Sequence, residues 1–316
     1  MKILVTGGAG FLGSHLCERL LGVNIGGSAD EAGTEVFCVD NLLTGRVENI
    51  EQLQHDYADR FHFIQHDITT PWPAEISAVT FDQIYHLASP ASPVDYKKYP
   101  IETLWVNAAG TKNVLELAVK TRANVLFAST SEVYGDPAMH PQSEDYFGNV
   151  NCVGERSCYD EGKRFAESLV STYVREKDLK AVIVRIFNTF GPRMRKDDGR
   201  AVPEFIARAK AGEPLKVTGD GTQTRSFCYV DDIIDGLISA IDKPGVYNLG
   251  NPEEISINEL AQKIIDLTDS NSTIEYVEKS PDDPIRRMPD ITKAKKELGF
   301  NVSIGLDEGL QKTNTS

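Results

Sequence analysis

Lys2-Ile3-Leu4-Val5-Thr6-Gly7-Gly8-Ala9-Gly10-Phe11-Leu12-Gly13 opens the chain with an apolar, β-branched run that gives way to glycines spaced GxxGxxG. Residues 2–6 have the composition of a parallel strand buried on both faces. A helical pattern follows from Ser14 to Leu21. Strand, glycine-rich turn and helix start together make a cradle for a dinucleotide pyrophosphate. Small residues let the backbone come close, and a helix N-terminus offers free N–H groups and the positive end of its dipole. A tight turn without ligand is the competing reading of three glycines. Their place between a strand and a helix favours the cradle, with Gly7, Gly10, Phe11, Leu12 and Gly13 against the cofactor.

The same alternation continues along the chain. Glu35–Asp40 reads as a second strand ending in a carboxylate, where Asp40 suits ribose hydroxyls and disfavours a 2′-phosphate. NAD is therefore expected over NADP. Asn41, Thr44 and Gly45 are expected to wall the adenosine pocket. A third strand, 61–64, leads to Asp67 and Ile68 at the adenine edge. His62 and His66 lack acidic neighbours at metal spacing and read as surface or edge residues. A fourth strand, 81–88, ends in Leu87, Ala88 and Ser89 beside a proline-rich loop, small residues suited to cofactor contact. Residues 22–34 are polar and glycine-rich, a surface excursion. Residues 101–120 read as one long amphipathic helix, with Asn107 a polar exception directed at the site. Strands at 125–129 and 180–188 complete the set.

This pattern predicts an α/β fold: a doubly wound parallel (Rossmann) sheet over residues 1–190, with 229–250 returning to it. Residues 191–228 and 251–316 would form a smaller α/β part that binds substrate. Within it, 202–211, 231–241 and 290–298 read as helices, and Ser256 to Thr268 as a capped helix with Glu259 at the capping-box position.

The chemistry points to Cys158-Tyr159-Asp160-Glu161-Gly162-Lys163. Tyr159 and Lys163 sit one helical turn apart on the same face. A phenol has a pKa of about 10. A neighbouring ammonium and a positively charged nicotinamide favour its phenolate, which can accept a hydroxyl proton while hydride leaves the same carbon. YxxxK alone is common on amphipathic helices. Here it follows Ser131 and Glu132, placed at the tip of the fifth strand, where Ser131 can hydrogen-bond a substrate oxygen. Glu132 can move protons or bind a hydroxyl, or stand as a solvated loop carboxylate. Arg193, Arg195, Lys196 and Arg200 fall within eight residues and read as a local positive site for a diphosphate, or as a solvated loop. Arg225 is a second phosphate candidate.

Composition sets the bounds. The chain has 316 residues, 41% hydrophobic and 25% charged, with a net charge of −14. Without a basic run, neither a nucleic-acid nor an anionic-membrane surface is expected. No apolar run approaches a membrane span. Five widely spaced cysteines without CxxC read as reduced thiols, not a disulfide framework or zinc site. The chain enters a strand at once, with no signal-peptide pattern, so a cytoplasmic protein is expected.

Longer strings carry a family resemblance: HLASPASP (86–93), ASTSEVYGDP (128–137), CYDEGKR (158–164), RIFNTFGPRM (185–194), GDGTQTRSF (219–227), RSFCYVDD (225–232), NLGNPEE (248–254) and DDPIRRMPDI (282–291). With Gly7/Gly10/Gly13, Asp40 and Tyr159/Lys163, they resemble the extended short-chain dehydrogenase/reductase family over essentially the whole chain. Within it the likeness is to the UDP-glucuronate decarboxylases. The resemblance implies bound NAD and UDP-glucuronate as substrate. It implies C4 oxidation, loss of carbon dioxide from the resulting β-keto acid, and re-reduction to UDP-xylose. Ser131, Glu132, Tyr159 and Lys163 would be catalytic. Asn188, Arg193, Arg200 and Arg225 would hold uridine diphosphate. Arg287 would meet the sugar carboxylate or ring, with Arg286 not separable from it. A homodimer through helices near 101–120 and 158–176 is also implied. Trp105 departs from the pattern, since many members carry Lys there near the substrate; the charge then comes from elsewhere or the sugar differs.

Other readings stay open. A 4-epimerase or 4,6-dehydratase would use the same scaffold, although dehydratases place Asp-Glu where this chain has Ser131-Glu132. A variant would release the 4-keto pentose with NADH. A non-catalytic NAD-binding scaffold would be expected to lose Tyr159 or Lys163.

Overall fold

The structure is a computed structural model describing residues 1–22, 33–278 and 286–315. Most of the excursion expected at 22–34, and residues 282–285 of the arginine-bearing turn, lie outside the described residues.

Seven strands form one parallel sheet. Six are β1 (Lys2–Thr6), β2 (Glu35–Asp40), β3 (Phe61–Gln65), β4 (Gln83–His86), β5 (Asn124–Thr130) and β6 (Ala181–Ile186). The seventh, Gly245–Leu249, lies at the edge, giving the order 245–249, β6, β5, β4, β1, β2, β3. From β1 the chain winds out through β2 and β3, then returns to β4 on the other side of β1. The crevice therefore opens at the C-terminal ends of β1 and β4, where the winding reverses. β1 is buried on both faces: Ile3 and Val5 pack with Leu16 and Cys17, and Leu4 packs with Ile84, Val114 and Phe127. Each such side chain contributes about 1.5–3 kcal/mol on burial, which is why the glycine turn leaves a rigid strand.

The first helix starts at Phe11, three residues earlier than the pattern predicts, with extended Gly10 as its N-cap. Gly13 thus sits inside the helix. A Cβ there would lie 2.1 Å from the Gly7 carbonyl oxygen, so the third glycine is what lets helix and turn touch. Gly7 has φ +72 and its position would drive a Cβ into the Ala88 backbone.

The long helix expected at 101–120 is three pieces. Helices Pro100–Trp105 and Thr111–Thr121 flank a π-helical stretch, Val106–Gly110. Asn107 lies in this stretch and is fully buried. Its amide donates to the Thr103 carbonyl (2.8 Å) and the Ser89 hydroxyl (2.9 Å).

Of the remaining elements, the Val230–Ala240 helix packs against the first helix and β6, and the small strands pair among themselves. Thr224–Ser226 pairs with Glu254–Ser256 and with Arg286–Arg287. Leu215–Thr218 pairs with Ile274–Val277. Helices Ala201–Ala211, Val230–Ala240 and Ile257–Leu267 match the expected ones closely, and both bonds of the Ser256/Glu259 capping box form. The expected 290–298 helix starts at Thr292, and a further helix, Leu306–Thr315, was not read from its mostly polar sequence. Among the described residues no helix is long and apolar enough to cross a membrane.

Candidate active site

A cleft of about 660 Å³ runs from the glycine turn, past the tips of β4 and β5, to Thr218–Phe227. That volume suits small-molecule ligands. Its wall includes Gly7, Gly10, Phe11, Leu12 and Gly13, then Asp40, Asn41 and Thr44, Asp67 and Ile68, and Leu87, Ala88 and Ser89. Two expected cofactor residues are not in the wall. Gly45 stands behind Asp40, where a Cβ would come within 2.7 Å of the carboxylate oxygens. Asn107 holds Ser89 from the layer beneath.

The dinucleotide end fits its expected ligand. A Cβ on Gly10 would meet only the Gly7 oxygen, at 3.2 Å, so the turn is open toward the cleft. The Asp40 carboxylate accepts N–H bonds from Leu42 (2.8 Å) and Ala9 (3.1 Å). Burial pushes its pKa up, and these two donors oppose that. The carboxylate is thus fixed at the tip of β2, where a ribose diol would bind.

Tyr159 and Lys163 come from the Ser157–Lys177 helix and both line the cleft. Tyr159 stacks on Tyr96, with ring centroids 5.1 Å apart and planes 5° from parallel. Burial drives its phenol above the ordinary range, opposed by a hydrogen bond with the Thr130 side chain. Lys163 donates to the Ala128 carbonyl at 2.9 Å, and burial lowers its pKa to about 7. Removal from water dominates both groups, and the hydrogen bond opposing it on the phenol comes from Thr130. Behind Lys163, His86 is buried between the Thr6 and Thr111 hydroxyls (2.7 and 3.0 Å). Burial and the Lys163 charge push it down to about 3.

Ser131 and Glu132 lie in a single 3₁₀ turn that follows β5 directly. Glu132 is no solvated loop carboxylate. Arg287 binds both its oxygens, and Arg156 donates to one of them at 2.5 Å. Burial alone would raise the pKa of Glu132, but the two guanidinium groups hold it well below the usual carboxylate range. Arg286 turns outward to Glu254 (2.6 Å), so Arg287 is the arginine that faces the cleft. Arg287 pairs in register with Arg225, which also lines the wall, as does Asn188.

The expected positive site at 193–200 reaches the cleft wall with its charges already paired. Arg193 and Arg200 line the cleft, but each arginine there has a carboxylate partner: Arg193 Glu18, Arg195 Asp95 (2.7 Å), and Arg200 Asp198 (2.5 Å). The partners of Arg193 and Arg195 lie on the glycine-turn helix and the 93–98 helix, whereas Asp198 belongs to the segment itself. The segment is a strap tying those elements together.

Three further residues were missed. Arg156 stands at the N-cap of the catalytic helix and pairs with a residue 24 positions earlier. Its place three residues before Tyr159 was the available signal. Asp160 lies 3.9 Å from Arg156. Burial first, then repulsion from Glu132, raises its pKa to about 7. Tyr96 lies in the short Pro93–Lys98 helix, too brief for its periodicity to show in the sequence.

The model of the NAD dependent epimerase/dehydratase family matches residues 3–250. The chain belongs to this family. Among curated members, UDP-glucuronic acid decarboxylase 5 of Arabidopsis thaliana is 50% identical over 98% of this chain and 87% of its own length. UDP-glucuronic acid decarboxylase 1 of Danio rerio is 49% identical over 99% of the chain and 71% of its own length. UDP-glucuronic acid 4-epimerase from Bacillus cereus, solved with UDP-glucuronic acid and NAD, superposes with a TM-score of 0.86 at 30% identity, covering 100% and 98% of the two chains. For UDP-glucose 4-epimerase from Thermotoga maritima the TM-score is 0.88 at 29% identity, with the same coverage. The glycine turn and Asp40 line one end of the cleft. Asn188, Arg225 and Arg287 line the cleft together with Ser131, Glu132 and Tyr159.

Proposed function

We propose that this chain is a UDP-glucuronate decarboxylase that converts UDP-glucuronate to UDP-xylose. The observation that carries the reading is Arg287, a buried guanidinium that lines the same cleft as Ser131 and Tyr159 and whose planar fork suits a carboxylate. Relatives at about half identity over nearly the whole chain bear the same name.

The glycine turn and Asp40 would hold NAD, which would supply a hydride acceptor and donor for C4. The protein's residues do the rest. Tyr159, hydrogen-bonded to Thr130, takes the C4 hydroxyl proton. Lys163, titrating near neutrality, supplies positive charge beneath it. Once C4 is a ketone, the sugar carboxylate is β to a carbonyl, and its loss as carbon dioxide leaves an enolate. Ser131 and Tyr159 stabilise that oxyanion by hydrogen bonding until C5 takes a proton from water, and Tyr159 returns its proton to the C4 oxygen as C4 is reduced again. Arg287 and Arg156 keep Glu132 ionised, so Glu132 acts as a fixed charge that positions Arg287, not as a proton donor. Uridine diphosphate occupies the Asn188–Arg225 side.

Exposed Ile101, Leu104 and Phe165 on two packed helices support a homodimer through that face. Free thiols at all five cysteines support a cytoplasmic setting.

C4 epimerisation of the same sugar is the second reading, favoured by the likeness to the Bacillus cereus enzyme. Product analysis by NMR separates them. A pentose nucleotide supports decarboxylation; a galacturonate nucleotide with its carboxylate intact overturns it.

A further inference from the structure

Glu167 stands one helical turn beyond Lys163, as Lys163 stands one turn beyond Tyr159, so the three share a face of the Ser157–Lys177 helix. No step above uses it. Only 13% of its side chain is exposed. Its carboxylate accepts from the Ser129 hydroxyl at 2.6 Å and from two nitrogens of the Arg185 fork, Nε at 2.9 Å and Nη2 at 2.8 Å. Ser129 precedes Thr130, the hydrogen-bond partner of the Tyr159 phenol, on β5. Arg185 comes from β6, and its third nitrogen donates to the Tyr134 hydroxyl (3.0 Å) in the turn that carries Ser131 and Glu132.

The groups packed around Lys163 leave Glu167 as its counter-charge. From β5 it meets the Ala128 carbonyl (2.9 Å) and the face of Phe127, whose ring centroid lies 4.8 Å away; neither titrates. From β4 it meets His86, which burial keeps neutral at working pH. The packed 106–121 segment brings uncharged Asn107 beside Gly162. On β6, Arg185 is turned to Glu167. On its own helix, Tyr159 is protonated in the free protein. Burial strips Lys163 of water and lowers its pKa, and Glu167 is the group that opposes this.

We propose that Glu167 is a positioning residue for the reaction, whose carboxylate, fixed by Ser129 and Arg185, holds Lys163 in its charged form beneath Tyr159. The proposal rests on the decarboxylase reading and names what tunes its lysine. The charge of Glu167 acts, and the ion pair with Arg185 is only the means of fixing it. Without that charge Lys163 loses its proton at lower pH, and the step that needs the ammonium fails sooner as pH rises.

Three variants separate charge from scaffold. Glu167→Gln removes the charge. A double change, Glu167→Gln with Arg185→Gln, removes it without leaving a guanidinium unmatched, and decides the matter if the single variant does not fold. Arg185→Lys keeps a cation for Glu167 but loses the planar fork that also reaches Tyr134. Carbon dioxide release from UDP-glucuronate with NAD is followed from about pH 6 to about pH 9.5, since the pH dependence of kcat reports groups in the substrate complex. The expected result is an alkaline fall in kcat that moves about one unit toward acid in Glu167→Gln and in the double variant, and stays in place in Arg185→Lys. An equal shift in Arg185→Lys overturns the proposal, because the ion pair then acts as scaffold. An unmoved profile in Glu167→Gln and the double variant, with UDP-glucuronate still turned over, also overturns it and leaves the decarboxylase reading standing. No carbon dioxide from the parent protein removes that reading and the proposal with it.

Discussion

Arg287 grips both carboxylate oxygens of Glu132, joining the edge of the small C-terminal sheet to the tip of β5 across 155 residues of chain. A uronate substrate brings a second carboxylate to the same guanidinium. Replacing Arg287 by Lys keeps a cation but loses the planar fork. Turnover of UDP-glucuronate per unit KM should fall about 100-fold or more, with NAD binding unchanged. Arg286→Ala should stay within about threefold of the parent, since that side chain pairs outward with Glu254. Carbon dioxide release measured across substrate concentrations checks both.

Tyr159→Phe should lower turnover by roughly 10²–10⁴, the span of a lost general acid–base group. The ring stacked on Tyr96 survives the change. The thermal midpoint and its rise on adding NAD should therefore match the parent. A parallel loss of NAD binding would show that the phenol holds the cofactor and not the proton.

Two glycines of one turn should fail differently. An alanine methyl at Gly13 falls 2.1 Å from the Gly7 oxygen, so Gly13→Ala should lower the thermal midpoint even without NAD. At Gly10 the nearest atom is 3.2 Å away. Gly10→Ala should keep its midpoint within about 2–4 °C, yet lose NAD affinity because the methyl occupies the space a pyrophosphate needs. Differential scanning fluorimetry with and without NAD distinguishes them.

Much of this was readable before any coordinates. The glycine spacing, Asp40 and the Tyr159–Lys163 pair are local patterns whose geometry follows from one strand or one helical turn. What was hidden depended on distant partners. The ion pairs of Arg193 and Arg195 were hidden because Glu18 and Asp95 lie 175 and 100 residues away. Glu132 read as a loop carboxylate or proton carrier because its two clamps come from other elements. The π-helical stretch at 106–110 was hidden too, since apolar periodicity over 101–120 does not reveal one extra residue per turn. The choice between Arg286 and Arg287 needed the strand pairing that turns one inward.

Asp160 gives stability a pH dependence. Its pKa rises on folding from an ordinary 3.8 to about 7, chiefly through burial. The folded state thus binds the extra proton. The stabilisation is fully present below about pH 4 and is lost as pH rises through about 7. Asp160→Asn removes this loss. The midpoint of the variant, relative to the parent, should therefore climb between pH 5 and pH 8. Lys163 titrates in the opposite sense: its lowered pKa makes folding costly below about pH 7, and that cost disappears as pH rises toward 10.5. Taking the difference between variant and parent cancels this contribution. A difference that stays flat over the range would show that Asp160 is ionised throughout.

The most direct measurement is to incubate the purified protein with UDP-glucuronate and NAD, without added NADH, and follow carbon dioxide, NADH absorbance and the sugar product together. Oxidation, decarboxylation and re-reduction in one cleft give UDP-xylose in step with carbon dioxide and no net NADH. Carbon dioxide with an equal amount of NADH would contradict the re-reduction step and mean release of a 4-keto pentose. No carbon dioxide, with turnover of a neutral UDP-hexose, would contradict decarboxylation itself.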